Sequence, residues 1–413
     1  MKFGLVAGEA SGDVLGAGLI RALRERHPDA SFEGVAGPEM VAAGCERWEP
    51  SESLAVMGLV EPLRHVPRLL RLRRELARRW IESPPDVFIG IDAPDFNLGL
   101  ETRLRRAGIR TAHYVSPSIW AWRAGRVKKV KKAADTVLCI LPFEPALYEQ
   151  HDVNAVFVGH PKADEAPAVV GTGAAREALG LAADEEVVAV MPGSRMGEVQ
   201  RLGGILAGAL ARIVAGRPAV RFVTPLASPS LRPVFEKQLA EAGVDGRCVL
   251  VDGQAQVVMS AADVVLQASG TAVLEAALLR RPAVAAYRLS PITYWMGRYL
   301  FRVNLAHYTL PNLLTEEPLV PEFMQHDAQP GPIADAVLGL LDDPARRRFI
   351  SERFDRLRQE LALDADQRAA ADAERPDGVR TVKHDLPAGE DHVQWLRLDA
   401  VDNHVSLLFA CGR

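Results

Sequence analysis

An acidic residue directly follows a predicted apolar strand and is placed to do acid–base chemistry. Val87–Ile91 has the continuous apolar character of a strand buried on both faces of a parallel sheet, and it ends at Asp92. In open α/β sheets, ligands bind beyond the carboxyl ends of the strands, where a carboxylate can act as a general base. Asp92 could instead cap the following turn through a side-chain oxygen. The residues alone leave both roles open.

A second polar turn follows the first predicted strand, Phe3–Ala7. It reads GEASGD from Gly8 onward and leads into a predicted helix over Val14–Arg26. Glycine in such a turn lets the backbone approach a ligand, but the turn lacks the G-x-G-x-x-G dinucleotide pattern. Glu9 and Asp13 would repel a phosphate and suit sugar hydroxyls better. Asp13 could also simply stabilise the first turn of the helix.

A loop in the second half is suited to binding a phosphate. The predicted strand Val187–Met191 leads into Pro-Gly-Ser-Arg, which ends at Arg195. A guanidinium group there can bind a phosphate in a bidentate manner, since its donors form a fixed fork. A surface salt bridge is the alternative role for Arg195.

A further strand-to-helix turn predicts a nucleotide site. The strand Val264–Gln267 leads into Ser269-Gly270-Thr271, where Ser269 or Thr271 could cap the next helix and Gly270 would let backbone amides approach a diphosphate. Glu275, one turn into that helix, could accept hydrogen bonds from two ribose hydroxyls or complement the helix dipole. Together with the Arg195 loop, this turn predicts a nucleotide-sugar site.

The same turns argue against a metal or a cofactor. They contain no P-loop lysine and no Asp-x-Asp pair, and Asp92 and Asp95 are three residues apart. We therefore predict metal-independent chemistry that needs no cofactor.

The stretch 63–80 is strongly basic within an acidic protein. It contains seven arginines and one acid, whereas the whole chain has a net charge of −4. Its leucines recur at roughly helical spacing, which predicts a basic amphipathic helix that can lie on an anionic membrane through Arg68, Arg71 and Arg74. It could also be an ordinary solvated helix whose arginines extend into water. The apolar stretch 54–60, which includes Met57, could be core or could contact acyl chains.

A tryptophan-containing segment precedes a second cationic run. Residues 116–123 read SPSIWAWR, and five more cationic residues follow by Lys132. Trp120, Trp122 and Arg123 suit a ligand with both apolar and anionic parts. A packed loop is the alternative, and no nucleic-acid motif accompanies the segment, so we predict no nucleic-acid partner. Asn312, in an apolar and aromatic region, is a further candidate for contact with substrate.

Composition sets the broad class. A chain of 413 residues that is 48% hydrophobic and 25% charged is an ordinary globular protein, long enough for two domains. Its four cysteines are scattered without paired spacing, which fits a reducing compartment. The N-terminus reads as a strand without a signal-peptide pattern, and no apolar run reaches about 18 residues. We therefore expect a cytoplasmic protein without a membrane span.

Alternation of strands and helices predicts parallel sheets built from βαβ units. The chain becomes rich in alanine, glycine and proline between residues 161 and 173, which is typical of a domain boundary. We predict an acceptor- and membrane-facing domain over 1–165 and a nucleotide-sugar domain over 175–345. A helical segment over 346–373 and an atypical tail over 374–413 would follow.

Taken in order, these motifs resemble those of the lipid-A-disaccharide synthases, a family of bacterial inverting glycosyltransferases. The resemblance covers about residues 1–370, and no part of the tail after 373 shares it. The motifs that carry it are LVAGEASGD (5–13), GVAGPEM (34–40), LAVMGLVEPL (54–63), GIDAPDFN (90–97), HYVSPSIWAWR (113–123), LPFE (141–144), FVGHP (157–161), PGSR (192–195), ASGTAVLE (268–275) and LPNLL (310–314).

The resemblance implies an α/β, GT-B-like fold, in which two Rossmann-like parallel-sheet domains face each other across a cleft. It implies transfer from UDP-2,3-diacylglucosamine to 2,3-diacylglucosamine 1-phosphate (lipid X), which gives the β-1,6-linked disaccharide 1-phosphate and UDP. Because both substrates carry acyl chains, it also implies a cytoplasmic protein peripherally associated with the inner membrane. A homodimer is implied as well.

Residue roles carry over by position. Asp92 is implied as the base for the acceptor 6-hydroxyl, and Arg195 as the group that binds the leaving diphosphate or a substrate phosphate. The implied UDP contacts are Gly193, Ser194, Arg195, Ser269, Gly270, Thr271 and Glu275. The acceptor or lipid side comprises Glu9, Ser11, Asp13, Trp120, Trp122, Arg123 and Asn312, and the membrane contacts are Met57, Arg68, Arg71 and Arg74.

Two other functions would account for part of these motifs. Another GT-B enzyme, such as a UDP-N-acetylglucosamine 2-epimerase, would share the nucleotide half but has no use for the features suited to acyl chains. A non-catalytic nucleotide-sugar or lipid-binding protein would not need both Asp92 and Arg195.

Overall fold

The structure is a computed structural model that describes residues 1–54, 61–117, 119, 126–289 and 307–375, with the backbone alone for 61–65. These residues form two compact units. The first is Met1–Asp164 with the described residues from Leu361 onward, and the second is Glu165–Glu360. Among the predicted site residues, Met57, Trp120, Trp122 and Arg123 lie outside the described residues, as does the tail from 376.

The first unit contains a seven-stranded sheet in the order β3-β2-β1-β4-β5-β6-β7. Every pairing between its described strands is parallel. The strands are β1 (Lys2–Ala7), β2 (Ser31–Ala36), β3 (Cys45–Pro50), β4 (Val87–Ile91), β5 (Arg110–Tyr114), β6 (Thr136–Cys139) and β7 (Ala155–Phe157).

The second unit contains a six-stranded sheet in the order β10-β9-β8-β11-β12-β13. Its described pairings are also all parallel. The strands are β8 (Val187–Met191), β9 (Arg221–Leu226), β10 (Cys248–Asp252), β11 (Val264–Ala268), β12 (Ala283–Tyr287) and β13 (Glu322–Met324).

Helices connect successive strands, as parallel pairing requires. The described helices are α1 (Ala10–Arg26), α2 (Pro38–Ala42), α3 (Glu61–Glu82), α4 (Pro94–Arg106), α5 (Val127–Ala133), α6 (Glu144–Glu149), α7 (Pro161–Glu165), α8 (Thr172–Ala178), α9 (Met196–Gly216), α10 (Arg232–Glu241), α11 (Ala255–Ala261), α12 (Thr271–Leu278), α13 (Leu310–Leu314), α14 (Pro330–Asp342), α15 (Pro344–Leu361) and α16 (Ala365–Glu374). The predicted α/β class with parallel sheets is confirmed.

In each sheet, the order in which the chain adds strands reverses next to the strand that comes first in the sequence. In the first unit the chain adds β2 and β3 on one side of β1, then crosses to place β4 on the other side. In the second unit β8 and β11 have the same relationship. Such a topological switch leaves a crevice at the carboxyl ends of the two central strands, where ligands bind in this class of fold.

The chain returns to the first unit at its described C-terminal end. Helix α16 packs on α1, where a Cβ at Gly18 would come within 2.0 Å of Asp366 Oδ2. The carboxylate of Asp164 accepts backbone N–H bonds from Asp364 and Ala365, at 2.9 and 2.7 Å. These contacts attach the last described helix to the first sheet.

One described helix, α9, is long and apolar enough to cross a membrane by length and composition. Its Leu202, Leu206 and Leu210 are buried in the hydrophobic core of the second unit, among the strand residues of that sheet. The apolar character of α9 is therefore accounted for by its packing within this unit.

Candidate active site

Asp92 lies at the switch point of the first sheet. Strands β1 and β4 pair in register up to Ala7 and Ile91, so Gly8 and Asp92 are the next residues on two adjacent strands. A Cβ built on Gly8 would come within 2.6 Å of the Ala93 Cβ. The two polar turns singled out in the sequence thus meet at one edge of the sheet, and glycine at position 8 is what permits their close approach.

The backbone at this edge is strained. Asp92 and Ala93 have φ values of 49° and 42°, and Val115, just beyond β5, has a φ of 74°. A left-handed conformation is uncommon outside glycine and unfavourable for a β-branched residue, and such outliers concentrate at active sites. The sequence did not reveal this strain, since none of the three residues is a glycine.

Hydrogen bonds hold the strained segment in place. The Asp92 N–H donates to the Tyr114 carbonyl at 2.8 Å, and the buried Asn97 side chain donates to the Asp92 carbonyl at 2.8 Å. Asp92 itself is half-buried, and Ala93, not Asp92, occupies the N-cap position of α4. Asp92 therefore lies at the switch point and is not the N-cap residue of this helix.

The three acceptor-side candidates of the first turn differ in exposure. Helix α1 begins at Ala10, earlier than the predicted Val14, so Ser11 and Asp13 lie in its first turn. Glu9, the N-cap residue, and Ser11 are exposed. Asp13 is 2% exposed.

The Asp13 carboxylate is bound within the first unit. It accepts backbone N–H bonds from Gly37 at 2.9 Å, Glu39 at 2.9 Å and Met40 at 3.0 Å. These bonds hold the start of α2 against α1. Glu9 and Ser11 are the exposed polar residues of this turn.

A buried acid–histidine pair lies beneath β4. Glu101 of α4 and His113 of β5 are both fully buried, with Glu101 Oε1 and His113 Nδ1 2.7 Å apart. Burial raises the pKa of the Glu101 carboxyl, while the neighbouring His113 opposes this shift. Neither residue was predicted as a site residue, since the two are twelve residues apart on different elements.

The two predicted UDP loops meet at the switch point of the second sheet. Strand β11 pairs with β8 in register up to Gln267 and Met191, so the 192–195 loop and the 269–271 turn leave adjacent strands at the same edge. Gln267 is fully buried, and neither of its side-chain polar atoms has a hydrogen-bond partner among the described residues. Sequence analysis treated Gln267 only as the end of a strand.

The 192–195 loop is built around a carboxylate that the sequence analysis missed. Gly193 has a φ of 123°, which favours glycine, and a Cβ there would come within 2.7 Å of the Glu198 Cβ. The Glu198 carboxylate accepts the N–H groups of Ser194 at 3.1 Å and Arg195 at 3.3 Å. These amides are therefore engaged, and the half-buried Arg195 side chain is the cationic group of this loop.

Within the part of the chain that the structure describes, the N-terminus of α12 is open. Its N-cap is Gly270, with no side-chain cap, so the predicted capping by Ser269 or Thr271 is wrong. Gly270 is extended, with a φ of 165°, and a Cβ there would meet no described atom within 4 Å. There is therefore space beside Gly270 at the start of this helix, the end of a helix that favours an anion. Glu275 is half-buried on the second turn.

The Asn312 side chain forms hydrogen bonds within the second unit. It is buried, its amide group donates to the Val320 carbonyl and to Glu322, and its oxygen accepts the N–H groups of Leu319 and Val320. All four hydrogen-bonding positions of an asparagine amide are thereby filled. A contact from Asn312 to a substrate would have to replace one of these bonds.

The predicted membrane-contact arginines are exposed on α3. Arg68, Arg71 and Arg74 are all accessible, and Val66 and Leu70 on the same helix remain 41% and 37% exposed. The opposite side of α3 is anchored by Trp80, which is fully buried. The helix thus combines cationic and apolar groups on its accessible side.

Comparison with known proteins decides the family. A family model described as lipid-A-disaccharide synthetase matches residues 3–373. The chain belongs to the lipid-A-disaccharide synthetase family. A lipid-A-disaccharide synthase from Alkalilimnicola ehrlichii is 52% identical over 373 residues, which cover 90% of this chain and 97% of that protein.

Comparison with solved structures shows that this chain has a GT-B-like fold. A UDP-GlcNAc 2-epimerase from Neisseria meningitidis bound to UDP-GlcNAc aligns with a TM-score of 0.59 and 12% identity, covering 90% of this chain and 99% of that one. A glycosyltransferase from Rickettsia africae aligns with a TM-score of 0.59 and 10% identity, covering 90% and 97%. The GT-B-like prediction is confirmed. Since epimerases and transferases share this fold, it is membership of the lipid-A-disaccharide synthetase family that disfavours the epimerase alternative.

Proposed function

We propose that the first unit supplies the acceptor site and general base, and the second unit the UDP site, of a lipid-A-disaccharide synthase reaction. Family membership makes the chain a glycosyltransferase of lipid A synthesis. The observation that supports the division of roles is that each sheet brings its two predicted loops together at a topological switch.

Asp92 is the proposed base. It would take the proton of the acceptor 6-hydroxyl as that oxygen attacks the anomeric carbon of the donor, whose bond to UDP breaks in the same displacement. A single displacement inverts the anomeric configuration and requires one base. The left-handed backbone at Asp92 and Ala93, held by Tyr114 and Asn97, supports this role, because strain of this kind persists where the fold imposes a geometry.

Arg195 and the open N-terminus of α12 are the proposed stabilisers of the departing diphosphate. As the sugar–phosphate bond breaks, negative charge builds up on the phosphate oxygens, and fixed cationic and N–H groups stabilise it without reorganisation. Gly193 and Ser194 position Arg195, while Ser269, Gly270 and Thr271 form the turn into α12. Glu275 would accept hydrogen bonds from the ribose hydroxyls.

The proposed donor is UDP-2,3-diacylglucosamine and the proposed acceptor is 2,3-diacylglucosamine 1-phosphate. Glu9 and Ser11 are the accessible residues near Asp92 in the chain topology, and their oxygens suit acceptor hydroxyls. Asp13 would act indirectly by fixing this turn. Trp120, Trp122, Arg123 and Asn312 stay predictions for the acceptor or lipid side.

Peripheral association with the inner membrane is proposed for α3. Its exposed Arg68, Arg71 and Arg74 can contact anionic headgroups, and the exposed Val66 and Leu70 can enter the interface. A homodimer is likewise proposed from the family resemblance, and light scattering of the purified protein measures it directly.

The function is tested by measuring UDP release. Purified protein with both diacyl substrates in neutral detergent micelles is expected to release UDP, and omission of the acceptor should abolish this release. A donor without acyl chains should support much slower turnover. Absence of UDP release with both acylated substrates present would contradict the proposed reaction.

A further inference from the structure

A cationic pocket lies in the first unit between α3, α4 and α5. Its volume is about 300 Å³, and its lining includes Arg73 of α3, Pro94 and Gly99 of α4, and Lys129 and Lys132 of α5. Arg126, just before α5, also lines it and pairs with Asp95. The lining thus contains four cationic side chains and one carboxylate. The sequence predicted an anion-binding role for the cationic run that follows residues 116–123, but it did not predict that Arg73 and α4 complete a pocket with that run.

Arg73 is built into the wall of this pocket. A Cβ on Gly99 would come within 2.2 Å of Arg73 Nη1, so the guanidinium occupies the space that the glycine leaves on α4. A glycine inside a helix costs about 0.5–1 kcal/mol relative to alanine, so its position here needs a reason. Nη1 donates to the Asp95 carbonyl at 3.4 Å, while the buried Nε has no hydrogen-bond partner among the described residues.

The charge of the pocket is not neutralised. Burial lowers the pKa of Arg73, and the nearby Arg103 lowers it further, because two like charges are held close together. Within the part of the chain that the structure describes, neither Lys129 nor Lys132 has an ion-pair partner. Four cationic side chains around one concavity create a positive local potential, which favours the binding of an anion.

Helix α5 divides its lysines between two faces. Lys129 and Lys132 are three residues apart and both line the pocket, in line with Arg126 a further three residues back. Lys128 and Lys131 do not line it, and Lys131 instead donates to the His151 carbonyl at 2.9 Å and lies 3.5 Å from Asp152. The cationic run of the sequence therefore contributes only one of its faces to the pocket.

We propose that this pocket binds the phosphate monoester of the glycolipid acceptor. A phosphate monoester carries a charge of about −1.5 to −2 and three strong acceptor oxygens, which matches a site where four cations are opposed by one carboxylate. The α4 residues that line the pocket begin at Pro94, two positions after the proposed base Asp92. The inference rests on the proposed function and adds the residues that recognise the acceptor phosphate.

The test compares acceptors with and without the phosphate. Lys129→Ala/Lys132→Ala should raise the KM for 2,3-diacylglucosamine 1-phosphate about tenfold, because two charge-assisted contacts are lost, with kcat and the donor KM changed less than twofold. With 2,3-diacylglucosamine, which lacks the phosphate, wild type and variant should have the same KM. Both lysines are exposed, so the variant should fold normally.

The matched control removes the same charge from the other face of the helix. Lys128→Ala/Lys131→Ala should change the acceptor KM less than twofold. An equal rise in KM for both double variants, or for both acceptors, would overturn the proposal. So would an unchanged KM in the Lys129/Lys132 variant while wild type turns over. A wild-type enzyme that releases no UDP would instead reject the proposed function.

Vesicle binding distinguishes the acceptor phosphate from a phospholipid headgroup. Sedimentation with phosphatidylglycerol vesicles should be the same for wild type and for Lys129→Ala/Lys132→Ala. If the variant lost vesicle binding and kept its acceptor KM in neutral micelles, the pocket would bind membrane phosphate, and the assignment to the acceptor would be wrong.

Discussion

Glu101 Oε1 lies 2.7 Å from His113 Nδ1 at a point where both side chains are fully buried. The pair links α4 to β5. It lies beside Gly90, because Gly90 of β4 is the residue that pairs with His113 of β5. A Cβ on Gly90 would come within 2.1 Å of Glu101 Oε1. The missing side chain at position 90 therefore makes room for the pair, two residues before Asp92.

This relationship predicts strong coupling between positions 90 and 101. Gly90→Ala should destabilise the protein by about 1–3 kcal/mol through overpacking, and Glu101→Ala by about 3 kcal/mol, because His113 loses its partner. In Glu101→Ala the added methyl has room, so the double variant should be more stable than the sum of the two effects by about 1 kcal/mol or more. Urea unfolding of the four proteins measures this.

A glycine in open space is the control for that cycle. A Cβ on Gly204 in α9 meets no described atom within 4 Å, so Gly204→Ala should be neutral or slightly stabilising. Strict additivity of Gly90→Ala and Glu101→Ala would show that the two positions do not compete for the same space.

Asp13 is expected to act on stability, whereas Glu9 is expected to act on substrate binding. Asp13→Ala removes a buried acceptor of three backbone N–H bonds and should cost about 3 kcal/mol. Glu9→Gln, at an exposed position, should leave the melting temperature within about 1 °C and raise the acceptor KM. Thermal melting and acceptor kinetics on both variants check this. A stable Asp13→Ala protein would refute the proposed anchoring of α2.

Asp92→Asn tests the proposed base with little change to the backbone. Asparagine tolerates the left-handed conformation at position 92 at least as well as aspartate does. The variant should therefore keep the wild-type melting temperature and UDP affinity while kcat falls by about 10²–10⁴. Turnover within twofold of wild type would remove Asp92 from the role of base.

His160 predicts a loss of stability in mild acid. Burial, with a smaller effect of Lys162, lowers the pKa of His160 from 6.5 to about 4. In the unfolded chain the imidazole binds a proton as the pH falls through 6.5, whereas the folded protein resists protonation until about pH 4. The free energy of unfolding should thus be unaffected by this group above pH 6.5 and fall by on the order of 3 kcal/mol between pH 6.5 and 4.

Urea unfolding at several pH values measures this fall. His160→Asn should flatten the dependence, since asparagine does not titrate, while substitution of the exposed His151 by asparagine should leave it as in wild type. Identical pH profiles for His160→Asn and wild type would show that His160 is not the group responsible.

The membrane proposal predicts charge-dependent vesicle binding. Arg68→Glu/Arg71→Glu/Arg74→Glu should abolish co-sedimentation with phosphatidylglycerol vesicles, because each cation near an anionic surface contributes about 1 kcal/mol. Turnover in neutral micelles should be retained.

The control makes the same charge change away from α3. Arg21→Glu, Arg106→Glu and Arg348→Glu together reverse three exposed arginines of other helices and should leave vesicle binding largely intact. Equal losses in both triple variants would point to net charge alone, and unchanged binding in the α3 variant would reject the contact.

The sequence by itself determined several strands of each unit, their parallel pairing in βαβ units and the turns at their carboxyl ends. β8 is Val187–Met191 as predicted, and β4 is Val87–Ile91, since a short apolar run bounded by turn residues encodes a buried strand locally. The same local pattern predicted that Asp92, Arg195 and the 269–271 turn each follow a strand. Ordered motifs also identified the family, because it shares those local signals over most of the chain.

The tertiary structure decided which polar residues and glycines support the packing of the fold. Asp13 is bound by amides 24 to 27 positions away, Gly90 leaves room for Glu101, and Gly99 leaves room for Arg73. The left-handed backbone at Asp92 is likewise held by a bond from the neighbouring strand. None of these contacts leaves a periodic signal in the chain, since each depends on which elements the sheet topology brings side by side. Spacing along the sequence therefore predicts where a polar residue stands, and packing between distant elements determines whether it is buried as a support or left accessible to a ligand.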